Sequence, residues 1–264
     1  NDFIGSWESL LSEETQDSDD NFNITLSEDI VNGTQLSLDL LLQSSEGYNS
    51  VETYNIIAGN VGVSDPLGPD SYGYYIYDSG DESYELSPDY NWIEIEETGT
   101  SLSLNNNGNG EWSGGSSPIQ TIDIPFTFRF YGIDYDEMTV CTNGWITLGE
   151  SESESFRNYP IPGPGGPAPM IAAFWDDLET NGSSSNVYYQ EFNDYIVIQW
   201  ENLSTHFSND ENTFQVILYN DSAQPSGDNN IKIQYKEFNN TSEGSFTAYP
   251  PIHGSYSTIG IENH

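Results

Sequence analysis

The chain is 264 residues long and carries 43 acidic side chains against four basic ones, a formal charge of −39. Such a surface repels nucleic acid and anionic lipid, both of which need a positive patch, and it attracts cations. Hydrophobic residues make up only 35 %, but aromatics supply 14 %, enough bulky apolar surface for a core built of strands.

The length allows one large all-β domain or two small ones. Cys141 is the only cysteine, so no disulfide framework forms within the chain. No run of 18 apolar residues is present. The chain starts at Asn1 without Met, which fits a processed or excised piece.

In chain order, residues 1–20 place Phe3, Ile4, Trp7, Leu10 and Leu11 on one helical face or in a short apolar anchor, followed by an acidic leader. Three strand-like runs follow, Phe22–Leu26, Gln35–Leu42 and Ser50–Ile57. Leu36, Leu38, Leu40 and Leu42 alternate with polar residues, the mark of a strand with one buried face. These strands need a partner sheet, either within the chain or from a neighbour that adds strands to an open edge.

Residues 58–92 are punctuated by Pro, Gly and Asp and rich in Tyr, so turns dominate. Asp78, Asp81 and Glu82 crowd one turn. They read as ordinary turn formers or as oxygen ligands for Ca²⁺, although the EF-hand pattern is absent. IEIEE at 93–97 and SLSL at 101–104 read as short strands.

Residues 122–178 hold the clearest pattern. IDIPFTFRFYG alternates, and MTVCTNGWITLG reads as a hairpin turning at Asn143-Gly144, a dipeptide suited to the positive φ of a type I′ turn. NYPIPGPGGPAPM crosses over to MIAAFWDDLETN. Strands NVYYQEF, YIVIQWENL, NTFQVILYND, NIKIQYKEF and STIGIEN complete the chain. Lys232 and Lys236 fall on the outward face of NIKIQYKEF. Strands at this spacing without amphipathic helices indicate an all-β, antiparallel sandwich of jelly-roll-like type.

From PFTFRFYG through STIGIEN, the order and spacing of these runs resemble a nidogen-type extracellular domain, over about half of the chain. SDPLGPDSYGYYIYDSGD with YNWIEI resembles a segment of large secreted bacterial proteins, including precursors of gingipain-like peptidases, where it follows an immunoglobulin-like module. The resemblance implies four regions: an acidic leader or anchor at 1–20, a partial immunoglobulin-like strand set at 21–63, a linking β region at 64–121 and a nidogen-like sandwich at 122–264. It also implies a secreted or cell-surface, non-catalytic β module used in adhesion or assembly. Asp176-Asp177 falls at that family's FWxD-like position. With Glu179, Asp78 and Asp81 it forms the candidate Ca²⁺ ligand set.

Other chemistry finds little support. Cys141 sits inside a predicted strand and reads as an inert buried thiol. His206, His253 and His264 lack zinc-site spacing. Carboxylates are too abundant for any pair to mark a glycosidase. GPGGP at 163–167 lacks the Lys and the helix of a phosphate loop. Seven N-x-S/T sequons occur, at Asn23, Asn32, Asn181, Asn202, Asn220, Asn239 and Asn240, near what chance supplies in so Asn- and Ser-rich a chain.

The expectation is therefore a non-enzymatic extracellular β protein. It self-associates or pairs strands with adjoining β modules, in the manner of a filament or sheath subunit, without nucleic acid or membrane insertion. The alternative is a carbohydrate- or ligand-binding accessory module of a larger secreted enzyme, with exposed aromatics stacking on sugar rings.

Overall fold

The computed structural model describes residues 4–7, 13–19, 21–28, 30–108, 117–206, 208, 210–221, 227–239 and 257–263. The chain divides into two compact units, Asn1–Asp89 and Tyr90–His264. The stretch 64–121 thus contributes to both units. Its second half carries Ile95, Leu102 and Leu104, whose side chains are buried in the larger unit. All strands pair antiparallel, and no helix occurs among the described residues.

The first unit contains one two-stranded ribbon, β1 (Gln35–Gln43) and β2 (Asn49–Ile57), in register along its full length. The expected strand at Phe22–Leu26 does not form, and residues 4–7 are not helical; the rest of the expected N-terminal helical face lies outside the described residues. Beyond the ribbon the backbone is held by local polar contacts. The Asp70 carboxylate accepts the N–H groups of Tyr72, Gly73 and Tyr74 at 2.7–3.0 Å. The Tyr75 and Thr34 hydroxyls meet at 3.0 Å, and the Tyr84 hydroxyl donates to Asp65 at 2.6 Å. The tyrosines of this stretch act through their hydroxyl ends as much as through their rings.

The second unit is the sandwich. One sheet runs β12 (Ile231–Glu237), β11 (Asn212–Tyr219), β10 (Tyr195–Thr205), β9 (Asn186–Glu191), β3 (Thr100–Ser101), with β8 (Leu178–Glu179) also on β10. The other runs β13 (Thr258–Glu262), β7 (Met170–Trp175), β6 (Trp145–Leu148), β5 (Ile133–Cys141), β4 (Ile119–Phe130). Aromatic contacts join them. Phe174 of β7 stacks across on Phe214 of β11 at 5.5 Å, and Phe214 is itself stacked at 4.9 Å on Trp200, its neighbour on β10 in the same sheet. Polar tips reach across as well: Trp200 Nε1 donates to the Cys141 carbonyl at 2.9 Å, and the Tyr235 hydroxyl to the Ala173 carbonyl at 2.6 Å. Burying a large ring while its polar atom finds a partner is what makes Trp and Tyr usable here. Pairing of β4 with β5 skips from Asp123 to Phe128, and Pro125, which has no N–H to give the ladder, lies in the skipped segment.

Each sheet also has its outer face covered. Residues 91–95 lie across β10, β11 and β12, although they form no strand. A row of buried glutamines holds them: Gln199, Gln215 and Gln234 bond in sequence across the three strands, and Gln215 and Gln234 donate onward to the Ile93 and Asn91 carbonyls. Ile95 packs there with Val197 and Ile217. The IEIEE run is therefore pinned by side chains rather than by a ladder. It also covers the outward face of β12, where Lys236 pairs with Glu94 at 2.9 Å and sits 5.5 Å from the Trp92 ring. On the other sheet, the Pro/Gly-rich crossing between β6 and β7 covers Cys141, Trp145, Met170 and Trp175. Both indole N–H groups donate to the Ser155 carbonyl in that crossing, at 2.8 and 3.1 Å.

The β5–β6 hairpin turns at Thr142-Asn143-Gly144, a three-residue loop, and only Gly144 has positive φ, at 75°. The two-residue type I′ turn expected from Asn-Gly does not form, because Asn143 is committed to tertiary contacts. A Cβ on Gly144 would run into the Phe174 carbonyl. Replacing Gly144 by Ala is therefore expected to cost about 2–4 kcal/mol of unfolding free energy in a urea titration, combining the left-handed backbone with the clash.

Candidate functional site

Four segments meet below the β5–β6 turn: the loop 105–108, the turn 142–144, the β7–β8 corner 176–181 and the end of β10 at 204–206. Asn143 is fully buried at their centre. Its Oδ1 accepts the Leu178 N–H and the Asn106 carboxamide, both at 3.0 Å, and its Nδ2 donates to the Glu154 carbonyl at 3.2 Å. Asn106, also fully buried, donates to Thr142 as well; its N–H donates to the Thr180 hydroxyl and its carbonyl accepts the Thr180 N–H, both at 2.8 Å.

The acids Asp176, Asp177 and Glu179 are buried beside this frame. Asp176 Oδ1 accepts the Asp177 N–H at 2.8 Å. Glu179 places one carboxylate oxygen against His206 Nδ1 and the other against Asn181 Nδ2. The Asp177 carbonyl accepts the His206 N–H at 2.8 Å. Gly108 closes over the pair, and a Cβ there would strike both the His206 ring and Glu179. Burial alone would push His206 down, yet the Glu179 hydrogen bond and the charges of Asp177, Glu179 and Asp176 hold it above its ordinary value. The site is thus a buried imidazole among three acids, which favour its protonated form.

Of the proposed calcium ligands, Asp176, Asp177 and Glu179 come together, but Glu179 spends both oxygens on protein donors. Asp78 and Asp81 lie in the other unit and make a separate turn. Among the described residues, no three His, Cys, Asp or Glu side chains form a metal-holding group. His206 was not legible as a site residue, because its partner is 27 positions away and only the β8–β10 pairing brings them together. His253 and His264 lie outside the described residues. Cys141 is fully buried and its thiol is pushed up to about 12 by burial, so it is no nucleophile at neutral pH.

Several sequons are engaged as well. The carboxamides of Asn32, Asn181, Asn202 and Asn239 donate to Asp65, Glu179, Ser184 and the Glu211 carbonyl. Asn23 is exposed and its carboxamide donates to the Asn21 carbonyl at 3.2 Å, Asn220 is exposed, and Asn240 lies outside the described residues.

The profile of the NIDO-related family matches residues 83–264, the whole sandwich with the strap that covers it. The chain belongs to the NIDO-related family. Neither a curated protein nor a solved structure gives a match. The matched stretch of this NIDO-related chain begins well before Ile122, because 91–104 supplies Ile95, Leu102 and Leu104 to the same core.

A raised His206 has a definite pH signature. Its stabilisation is complete below the ordinary value of 6.5 and is lost as pH rises through the higher folded value. Urea midpoints measured from mildly acidic to alkaline pH are expected to fall for the native protein, and His206→Gln is expected to flatten that slope.

Proposed function

We propose that this NIDO-related chain is an extracellular, non-catalytic β module that assembles by strand pairing, with the β1–β2 ribbon as its joining element. One observation carries the reading. The ribbon is nine residues long on each strand, yet no residue of either strand is buried. Leu41 is 56 % exposed, Tyr54 56 % and Ile57 68 %. The register places Leu36, Leu38, Leu40 and Leu42 opposite Ile56, Tyr54, Glu52 and Ser50, so one face is largely apolar.

A two-stranded ribbon is marginal in water on its own, and neither of its edges meets a third strand among the described residues. Open edges offer unpaired N–H and C=O groups, and an apolar face offers area to bury; strands from a second copy or an adjoining β module would satisfy both. The extracellular placement rests on the nidogen-related family, and no helix among the described residues is long and apolar enough to cross a membrane.

The first test takes the simplest neighbour, a second copy. Sedimentation in high salt, which screens the acidic surface, is expected to show mass growing with concentration. Leu38→Asp combined with Tyr54→Asp should hold the protein monomeric at every concentration while the near-ultraviolet signal of the sandwich is unchanged. A native chain that stays a single monomer at high concentration contradicts self-assembly.

A further inference from the structure

Residues 1–89 hold 19 of the 43 acids and none of the four Lys/Arg or three His. No carboxylate in this unit can pair with a basic side chain of the same unit. Asp39 lies at the surface, where water solvates it and the Thr53 hydroxyl donates at 2.7 Å. Asp65 is met by protein donors: the Tyr84 hydroxyl, the Gly62 N–H and the Asn32 carboxamide together hold it below the usual carboxylate range.

Asp81 is handled in neither way. It is 2 % exposed. Its Oδ2 accepts the Asp78 N–H at 2.8 Å, while the Asp81 N–H returns to the Asp78 carbonyl at 3.1 Å. Its Oδ1 is buried without a hydrogen-bond partner among the described residues. A carboxylate oxygen removed from water needs a donor, a proton or a cation, because desolvation otherwise goes uncompensated.

We propose that Asp81 Oδ1 anchors a calcium ion in the turn formed by residues 78–81. The chemistry of the unit selects the metal. Without His or Cys, residues 1–89 offer only oxygen, which suits hard cations and not zinc or copper. Calcium takes six to eight oxygens in irregular geometry and accepts peptide carbonyls and water, whereas magnesium demands a near-ideal octahedron. The exposed Asp78 carboxylate, one oxygen of which receives the Gly80 N–H at 2.6 Å, is the second carboxylate of the turn. Carbonyls and water complete the shell. A unit this acidic also concentrates cations around itself.

Calorimetric titration of the full chain with Ca²⁺, in salt high enough to screen diffuse binding, tests the proposal. Asp81→Asn keeps the shape and removes the charge; Asp39→Asn removes one charge from the exposed ribbon as a control. The native chain and Asp39→Asn are expected to show one saturable site and a higher Tm with Ca²⁺. Asp81→Asn should lose both. Absence of saturable uptake by the native chain, or retention of uptake and Tm rise by Asp81→Asn, overturns the proposal. Should Asp81→Asn not fold, carboxyl carbon NMR of the native chain reads the same point: a Ca²⁺-dependent shift at Asp81 supports it, and a signal indifferent to Ca²⁺ overturns it.

Discussion

The buried carboxamide of Asn143 is the contact on which the sandwich's functional end depends. One side chain, with no exposure, satisfies a backbone N–H from the β7–β8 corner, a carboxamide from the 105–108 loop and a carbonyl from the crossing that covers the second sheet. A buried polar group with all its partners present fixes geometry that apolar packing leaves free, and the same group with a partner missing is a heavy liability. Asn143 therefore sets where Asp176, Asp177 and Glu179 end up, and through β8 it sets where His206 meets them. Gly144 serves the same junction differently: its carbonyl accepts the Ala173 and Phe174 N–H groups, and its missing side chain lets β7 approach.

The two units meet the chain's acidity by different means. Residues 90–264 carry 24 of the 43 acids with all four Lys/Arg, and they own nearly all of the buried apolar side chains. That unit has a core deep enough to offset self-repulsion and can afford a buried His–acid cluster. Among the described residues of 1–89 the buried hydrophobic side chains are those of Val31 and Ala58. With so small a core and no basic side chain of its own, that unit has little to set against the mutual repulsion of its 19 acids. The open ribbon and the unsatisfied Asp81 oxygen are two consequences of that one deficit.

Most of the sandwich was legible because period-two alternation survives in its strands. On β12, the alternation of Ile231, Ile233 and Tyr235 read correctly from pattern alone; in the other unit the same pattern over Leu36 to Leu42 gave the strand β1 but not the buried face, since none of its residues is buried. What was not legible depended on long-range contact. Asn143-Gly144 carries a strong local preference for a two-residue turn, but tertiary bonds to Asn143 override it. IEIEE has the alternation of a strand yet lies as a strap, because the Gln215 and Gln234 side chains of two strands take the Ile93 and Asn91 carbonyls. The Glu179–His206 pair leaves no sequence signature, since neither residue type nor spacing announces it. The nidogen-like resemblance, read from residue 122 onward, held because it rests on the order of many strands rather than on any single pair, and the family match reaches further back, to residue 83.

The account stands or falls on whether the ribbon lacks cover within its own molecule. Hydrogen exchange of the full-length chain, followed by mass spectrometry in dilute and then concentrated solution, addresses this directly. Amides of β1 and β2 are expected to exchange rapidly in dilute solution, while those of β10 and β11 stay protected, and to slow on concentration. Ribbon amides as protected as the sandwich core in dilute solution would show that the same polypeptide already shelters them, and would contradict the account.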